Sequence, residues 1–166
     1  MKILVVYSSR TGNTKKIGEA VFEILPEPKE IFSVETAPPP DQYDFIAMGF
    51  WVNRGRADEK VEEYMKKIKG KKVCVFATLG AYPNSNHARK VLNWAIEILD
   101  DNDVLGEFVC QGKIDPDILD KMPKNGVHAM TPERKVMIEE ASKHPNETDC
   151  RYAQNAFMEM LQGLVS

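Results

Sequence analysis

Residues Ile3–Gly18 read ILVVYSSRTGNTKKIG, and they decide the fold because the sequence changes character twice within them. The apolar run Ile3–Tyr7 has the length and composition of a buried β-strand. Four hydroxyl residues, an arginine, a glycine and an asparagine then make up Ser8–Thr14. Apolar residues at helical spacing predict an amphipathic helix over Lys15–Leu25, with Pro26 beyond its end. The chain therefore opens with a strand, a polar loop and a helix.

Short apolar runs and helical segments keep alternating along the 166 residues. Further strands are predicted at Glu30–Glu35 on an edge of the sheet, Phe45–Phe50, Lys72–Thr78 and Val104–Cys110. Helices are predicted over Ala57–Ile68, over Asn86–Leu99, briefly from Asp115, from Thr131, and from about Asn146 to about Leu164. Pro38–Pro40 should form an extended connector. Nothing resembles an interdomain linker, so a single domain over residues 1–166 is expected.

Strands that alternate with helices indicate an α/β protein with a parallel sheet, because parallel strands need crossover connections. Five strands fit a three-layer, doubly wound sheet with helices on both faces. Ligands of such sheets bind beyond the carboxyl ends of the strands, where the strand order switches. Three loops are expected there: Ser8–Asn13, Trp51–Ala57 and Thr78–Ser85.

The composition disfavours several classes of protein. The net charge of -3 at pH 7 argues against a nucleic-acid partner, which would need a basic surface. No apolar run approaches the ~20 residues that cross a bilayer, so no membrane segment is expected. Cys74, Cys110 and Cys150 lie far apart and form no C-x-x-C pair, which fits a reducing compartment. These features together indicate a cytoplasmic protein.

The polar loop is suited to an anion. Unpaired backbone N–H groups at a helix N-terminus carry partial positive charge and can bind phosphate. The hydroxyls of Ser9, Thr11 and Thr14 would add donors, and Gly12 would let the backbone approach the anion closely. A plain capped helix start would explain one or two of these hydroxyl residues, but not the whole set.

Other classes of phosphate-binding loop do not match this segment. It lacks the G-x-x-x-x-G-K-[ST] nucleotide pattern and the G-x-G-x-x-G dinucleotide pattern. It has no cysteine that could serve as a phosphatase nucleophile, and the first strand does not end in the paired acids of a receiver domain. The sequence therefore favours a loop that holds a phosphate group over one that acts on it.

Tyr7–Gly18 resembles the phosphate loop of flavodoxins, which has the pattern S/T-x-T-G-N-T after the first strand. The resemblance implies a flavodoxin-like fold with strand order 2-1-3-4-5 and noncovalently bound FMN. It implies that the FMN phosphate is held by Ser9, Arg10, Thr11, Gly12, Asn13 and Thr14. Arg10 departs from the family, which usually has a small hydroxyl residue there, but an arginine suits a dianionic phosphate.

The resemblance also implies that the second and third loops line the isoalloxazine ring of the flavin. The second-loop residues expected there are Trp51, Val52, Asn53, Arg54 and Gly55, and the third-loop residues are Thr78, Leu79, Gly80 and Tyr82. Trp51 would either stack on the ring or be a core tryptophan beneath the loop. Both loops depart from the family pattern, since WVNRG replaces the usual second-loop motif and no aspartate lies between Ala77 and Tyr82.

Glu107–Lys135 is not standard for flavodoxins, and with Gly49–Asp58 it resembles a flavodoxin-like subfamily associated with bilirubin reductase. This resemblance favours a dedicated partner enzyme. The implied function is electron transfer through FMN to a partner oxidoreductase. One alternative is an NAD(P)H-dependent flavin or quinone reductase, in which Arg54, Arg56 and Arg89 hold the nucleotide phosphates. Another is an FMN-binding accessory subunit without redox activity.

Overall fold

The computed structural model describes residues 1–52, 55–122, 126 and 129–165. Its strands are β1 (Ile3–Tyr7), β2 (Lys29–Ser33), β3 (Phe45–Trp51), β4 (Lys72–Leu79) and β5 (Asp103–Gln111). Its helices are α1 (Asn13–Ile24), α2 (Glu59–Lys66), α3 (Asn86–Ile98), α4 (Pro116–Lys121), α5 (Pro132–Ala141) and α6 (Glu147–Val165). The strands pair in parallel in the order β2-β1-β3-β4-β5, which confirms the predicted fold class.

Several predicted element boundaries differ by one or two residues from the observed ones, and two local differences have a physical reason. The predicted start of α2 at Ala57 is two residues early, because the Asp58 carboxylate accepts the Val61 N–H at 3.0 Å and so begins the helix later. The proline triplet is extended only in part. Pro39 has φ -54° and ψ 144°, but Pro40–Gln42 forms a 3-10 turn that leads into β3. None of the helices within the described ranges is long and apolar enough to cross a membrane.

The sheet carries one hydrophobic core on each face, which explains the three layers. Alternate residues of β1 point in opposite directions, with Leu4 and Val6 in one core and Ile3 and Val5 in the other. Helices α2 and α3 cover the first face, and α1 and α6 cover the second. Burial of one such side chain stabilises the fold by roughly 1.5–3 kcal/mol, so both faces need a helical cover.

The parallel register brings the carboxyl ends of three strands to one edge of the sheet. Tyr7 at the end of β1 pairs with Gly49 in β3, and Trp51 at the end of β3 pairs with Thr78 in β4. The Ser8 N–H continues this pairing by donating to the Gly49 carbonyl at 3.0 Å. The three loops predicted to form a site therefore leave the sheet side by side.

Candidate functional site

The first loop ends at Gly12, whose backbone makes the start of α1 unusual. Gly12 has φ +96°, in the left-handed region that side-chain-bearing residues rarely adopt, and it provides no side-chain cap for the helix. Its own N–H donates to Ser9 Oγ at 3.1 Å. The backbone N–H groups of Thr11, Asn13 and Thr14 donate no hydrogen bond to any other described residue. These N–H groups are arranged to meet an anion.

Thr14 contributes to this arrangement through its backbone and not through its hydroxyl. Its side chain is completely buried, and Thr14 Oγ1 lies 2.8 Å from Thr78 Oγ1. Thr78 is also buried, so the two hydroxyls satisfy each other beneath the loop. Both residues belong to the predicted site, but their side chains tie α1 to β4 and do not face outward.

Arg10 connects the first loop with two other parts of the chain. Its Nε atom donates to Asp115 Oδ2 at 2.7 Å, and its guanidinium carbon lies 5.9 Å from the centroid of the Trp51 ring. The Arg10 guanidinium, followed by the Asp117 N–H, holds the pKa of the Asp115 carboxyl below its ordinary value. The predicted residues Arg10 and Trp51 are thus brought together, with Asp115 as an unpredicted third member.

In the second loop, Trp51 is half-buried and is not among the residues that pack against either hydrophobic core. The tryptophan that packs against the core is Trp94 of α3, which is also half-buried and lies edge-to-face on Phe50 with ring centroids 6.0 Å apart. The N–H of Val52 donates to the Thr78 carbonyl at 2.9 Å and extends the β3–β4 pairing into the loop. The predicted residues Asn53 and Arg54 lie outside the described residues.

The second loop is in contact with its neighbours on both sides. Gly55 has φ +83°, and a Cβ at this position would lie 3.7 Å from Cε1 of His87 in α3. On the other side, Ser8 Oγ donates to Asp58 Oδ2 at 2.5 Å. Asp58 also caps α2, so one carboxylate fixes the end of the second loop against the start of the first.

The third loop contributes backbone and one exposed aromatic side chain. Leu79 is buried, and Gly80 is half-buried at the end of β4. The Tyr82 side chain is exposed, with 38% of its surface accessible. It is therefore free to contact a ligand or a partner, whereas Leu79 belongs to the core.

The last residue of β5 and the segment that follows it, which we call the strap (Gln111–Asp115), line the site as a fourth element. The Lys113 carbonyl accepts Asn13 Nδ2 at 2.9 Å, at the first loop. At the third loop, Gln111 Nε2 donates to the Gly80 carbonyl at 3.1 Å. A Cβ on Gly80 would lie 2.4 Å from Cδ1 of Ile114, so only glycine permits this approach. Sequence reasoning missed the strap, and its only signal was that this region departs from the family pattern.

The chemistry of the surrounding side chains limits what the site can do. Arg89, a predicted nucleotide-phosphate ligand, is bonded to Glu107 and, at 3.0 Å, to Asn93. Burial raises the pKa of the Cys74 thiol to about 12 and also raises that of Cys110, so neither strand cysteine is a reactive thiolate. Arg56 is exposed. The arrangement is therefore suited to binding an anion and a flat ligand between the loops.

Comparisons with known proteins agree with this geometry. The family model of the flavodoxin domain matches residues 4–158. The flavodoxin-like domain-containing protein BilS of Clostridioides difficile is 36% identical over 119 residues, which are 69% of this chain and 68% of that protein. Oxidised flavodoxin 2 from Bacillus cereus superposes with a TM-score of 0.62 at 16% identity, over 98% of this chain and 99% of its own. A flavoprotein from Lactobacillus acidophilus, solved in complex with FMN, superposes with a TM-score of 0.51 at 18% identity, over 65% and 92%.

Proposed function

The chain belongs to the flavodoxin family, and we propose that it binds FMN noncovalently and carries electrons to a partner oxidoreductase. The observation that carries this proposal is the start of α1, where Gly12 takes φ +96° and no side chain caps the helix. A helix start whose first N–H groups are not capped by a side chain is suited to the terminal phosphate of FMN. Because the chain matches the flavodoxin family model, we take the phosphate-bearing ligand of this loop to be FMN.

The first loop has the donors that a phosphate dianion needs. The backbone N–H groups of Thr11, Asn13 and Thr14 are available, and the hydroxyls of Ser9 and Thr11 lie in the same loop. A hydrogen bond to a charged group contributes roughly 1.5–3 kcal/mol, so several of them would make the phosphate the main anchor of the ligand. The ring would then lie towards the second and third loops.

The chain's part in the proposed function is to bind and orient the cofactor. When bound, FMN would supply the one- or two-electron chemistry. No described side chain in the loops needs to act as an acid, a base or a nucleophile. Trp51 is half-buried and Tyr82 is exposed, so these two aromatic side chains are the candidates to contact the ring. The partner would meet the molecule at this edge of the sheet.

Direct reduction by NAD(P)H has less support from the described residues. Arg89 is occupied by Glu107 and Asn93, and it would have to leave both to hold a nucleotide phosphate. Among the arginines suggested for that role, Arg56 is exposed and remains available. We therefore place the source of electrons in a separate reductase.

Absorption spectroscopy of the protein after reconstitution with FMN tests the proposal. We expect flavin absorption bands that stay with the protein through gel filtration. Anaerobic NAD(P)H alone should leave these bands unchanged, whereas NAD(P)H with a catalytic amount of a flavodoxin reductase should bleach them. Rapid bleaching by NAD(P)H alone would favour the reductase alternative. A protein that stays colourless would contradict FMN binding, and bound FMN that no reductase can bleach would favour the accessory subunit.

A further inference from the structure

We propose that Asp115 of the strap is a positioning residue for the phosphate site, because it holds Arg10 at the first loop with both terminal amino groups available to an anion. The inference rests on the proposed function, since the anion is taken to be the phosphate of FMN. Asp115 is not expected to touch the ligand. It acts through Arg10, to which it lies close although the two residues are 105 positions apart in sequence.

The contact between the two side chains does not involve the terminal amino groups of the Arg10 guanidinium. Of the N–H groups of Arg10, only Nε donates to Asp115, at 2.7 Å. The terminal amino groups of Arg10 donate no hydrogen bond to any residue in the described ranges. Arginine commonly binds phosphate in a bidentate manner through such N–H groups. An arginine held by Nε is therefore oriented but still able to bind.

Asp115 is the fixed member of the pair. Its Oδ1 accepts the Asp117 N–H at 3.0 Å, and its carbonyl accepts the N–H groups of Ile118 and Leu119 at 2.9 and 3.1 Å. Its side chain is 14% exposed, whereas that of Arg10 is 46% exposed. The start of α4 thus determines where the carboxylate lies, and the long arginine side chain follows it.

The strap that carries Asp115 is itself anchored next to the first loop. The Lys113 carbonyl accepts Asn13 Nδ2, and the Lys113 N–H donates to the His144 carbonyl at 2.8 Å. The centroid of the Trp51 ring lies 5.9 Å from the guanidinium carbon of Arg10. Arg10 therefore has two contacts, with Asp115 and with Trp51, before a ligand arrives, which lowers the entropy lost when it binds one.

Affinities for FMN and for riboflavin, which lacks the phosphate, test this role. The variants are Asp115→Ala, Asp115→Asn, Arg10→Ala and the double variant Arg10→Ala/Asp115→Ala. We expect Asp115→Ala to weaken FMN roughly 10-fold and riboflavin less than about 2-fold, because only FMN uses Arg10. Asp115→Asn keeps a neutral acceptor and should retain most of the FMN affinity. The double variant should bind FMN no more weakly than Arg10→Ala alone, because Asp115 acts only through Arg10.

Asp117→Ala is the matched control, since it removes a carboxylate from the same helix turn without touching Arg10. It should leave both affinities unchanged. Tighter FMN binding by Asp115→Ala would overturn the inference, because the carboxylate would then be competing with the phosphate for Arg10. Unchanged FMN affinity, or equal losses for FMN and riboflavin, would overturn it as well. If Asp115→Ala does not fold, the double-variant comparison is replaced by Asp115→Asn with Arg10→Ala.

The same titrations, together with the reduction experiment with NAD(P)H and a flavodoxin reductase, separate this inference from the proposed function. A wild-type protein that binds no FMN would overturn both. A wild-type protein that binds FMN, with variants that behave like the Asp117→Ala control, would overturn only the role of Asp115. FMN binding with the expected variant pattern but no electron transfer would overturn only the carrier function.

Discussion

Helices α1 and α3 both begin just beyond the carboxyl end of a strand, but they treat their first N–H groups differently. At α3, Ser85 has an extended backbone with φ -77°, and its Oγ accepts the Ala88 N–H at 3.1 Å. At α1, Gly12 has φ +96° and no side chain to offer. The helix start of α3 satisfies one of its own donors, whereas the N–H groups of Asn13 and Thr14 in α1 donate to no other described residue. A single residue at the helix start makes this difference.

The other helices follow the pattern of α3. The side chains that cap them are Asp58 at α2, Asp115 at α4, Thr131 at α5 and Asn146 at α6. The first loop is instead held from outside the helix, by Ser8 against Asp58 and by Arg10 and Asn13 against the strap. The comparison shows that an uncapped helix start can be kept in place by contacts distant in sequence.

Gly12→Ala is expected to have the largest effect, because it should lower both the stability of the apoprotein and its affinity for FMN. A Cβ in the left-handed region costs roughly 1–2 kcal/mol, so the free energy of unfolding of the apoprotein should fall by about that amount. The turn would relax to relieve the strain and move the N–H groups of α1, so FMN affinity should fall by at least roughly 10-fold. Urea unfolding and FMN titration measure the two effects. Unchanged FMN affinity would contradict the role of this turn.

Two controls separate strain from binding. Gly70 also has positive φ, at +65°, but it lies in the turn before β4, at the amino ends of the strands and away from the predicted site. Gly70→Ala should therefore lose similar stability and keep its affinity for FMN. Ser85→Ala removes the cap of α3 and should cost about 1 kcal/mol, again without an effect on FMN. If either control lost as much FMN affinity as Gly12→Ala, the loss could not be attributed to the turn at the start of α1.

An intermediate effect is expected from Thr14→Val, which tests whether Thr14 acts through its backbone. The change leaves the Thr78 hydroxyl buried without its partner, so unfolding free energy should fall by roughly 1–3 kcal/mol. Thr14→Val/Thr78→Val removes both hydroxyls and should lose less than the sum of the single changes. The ratio of FMN to riboflavin affinity should stay within about 2-fold, because the N–H is retained. A larger fall in this ratio would indicate that the Thr14 hydroxyl itself contacts the phosphate of FMN.

The smallest effect concerns pH and the start of α6, a capped helix that also supports the strap. His144 Nδ1 lies 2.6 Å from Asp149 Oδ2, and Nε2 lies 3.2 Å from Glu140 Oε1. The hydrogen bond with Asp149, assisted by Glu140, raises the pKa of His144 above its ordinary value. Protonation is therefore favoured in the folded state, and the stabilisation is complete below the ordinary pKa of about 6.5.

Stability should consequently fall as the pH rises through the higher pKa of folded His144. We expect a loss of less than about 1 kcal/mol, because the pair is close to the surface. Urea unfolding between about pH 6 and about pH 9 measures it, and His144→Gln should lack this dependence. A stability that rises with pH in the wild type but not in His144→Gln would show that protonation of His144 is favoured in the unfolded state, which would contradict this prediction.

The amino-acid pattern predicts the strands and helices of this fold better than it predicts which side chains meet at the site. Apolar runs such as Phe45–Trp51 are buried on both sides, so their positions as strands follow from composition alone. The left-handed turn is also visible, since glycine is the residue that tolerates it. The pairing of Arg10 with Asp115 is not visible, because it joins ordinary surface residues through tertiary packing.

The direction of a side chain is likewise hidden from the sequence. Thr11 and Thr14 have the same side chain and lie in the same motif, but Thr11 is exposed and Thr14 is buried against Thr78. The position of Trp51 poses the same problem, because the sequence left open whether it packs in the core, and Trp94 is the tryptophan that packs against the core. The packing of Trp94 on Phe50 decides it, and that contact depends on how α3 lies on the sheet.

The most direct test of the account is a comparison of FMN and riboflavin binding to the wild-type apoprotein, measured by quenching of flavin fluorescence. The uncapped start of α1 should hold the phosphate through several N–H groups and Arg10. FMN should therefore bind at least roughly 100-fold more tightly than riboflavin, which corresponds to about 2.7 kcal/mol. Equal affinities for the two ligands would contradict the assignment of the first loop as the phosphate site.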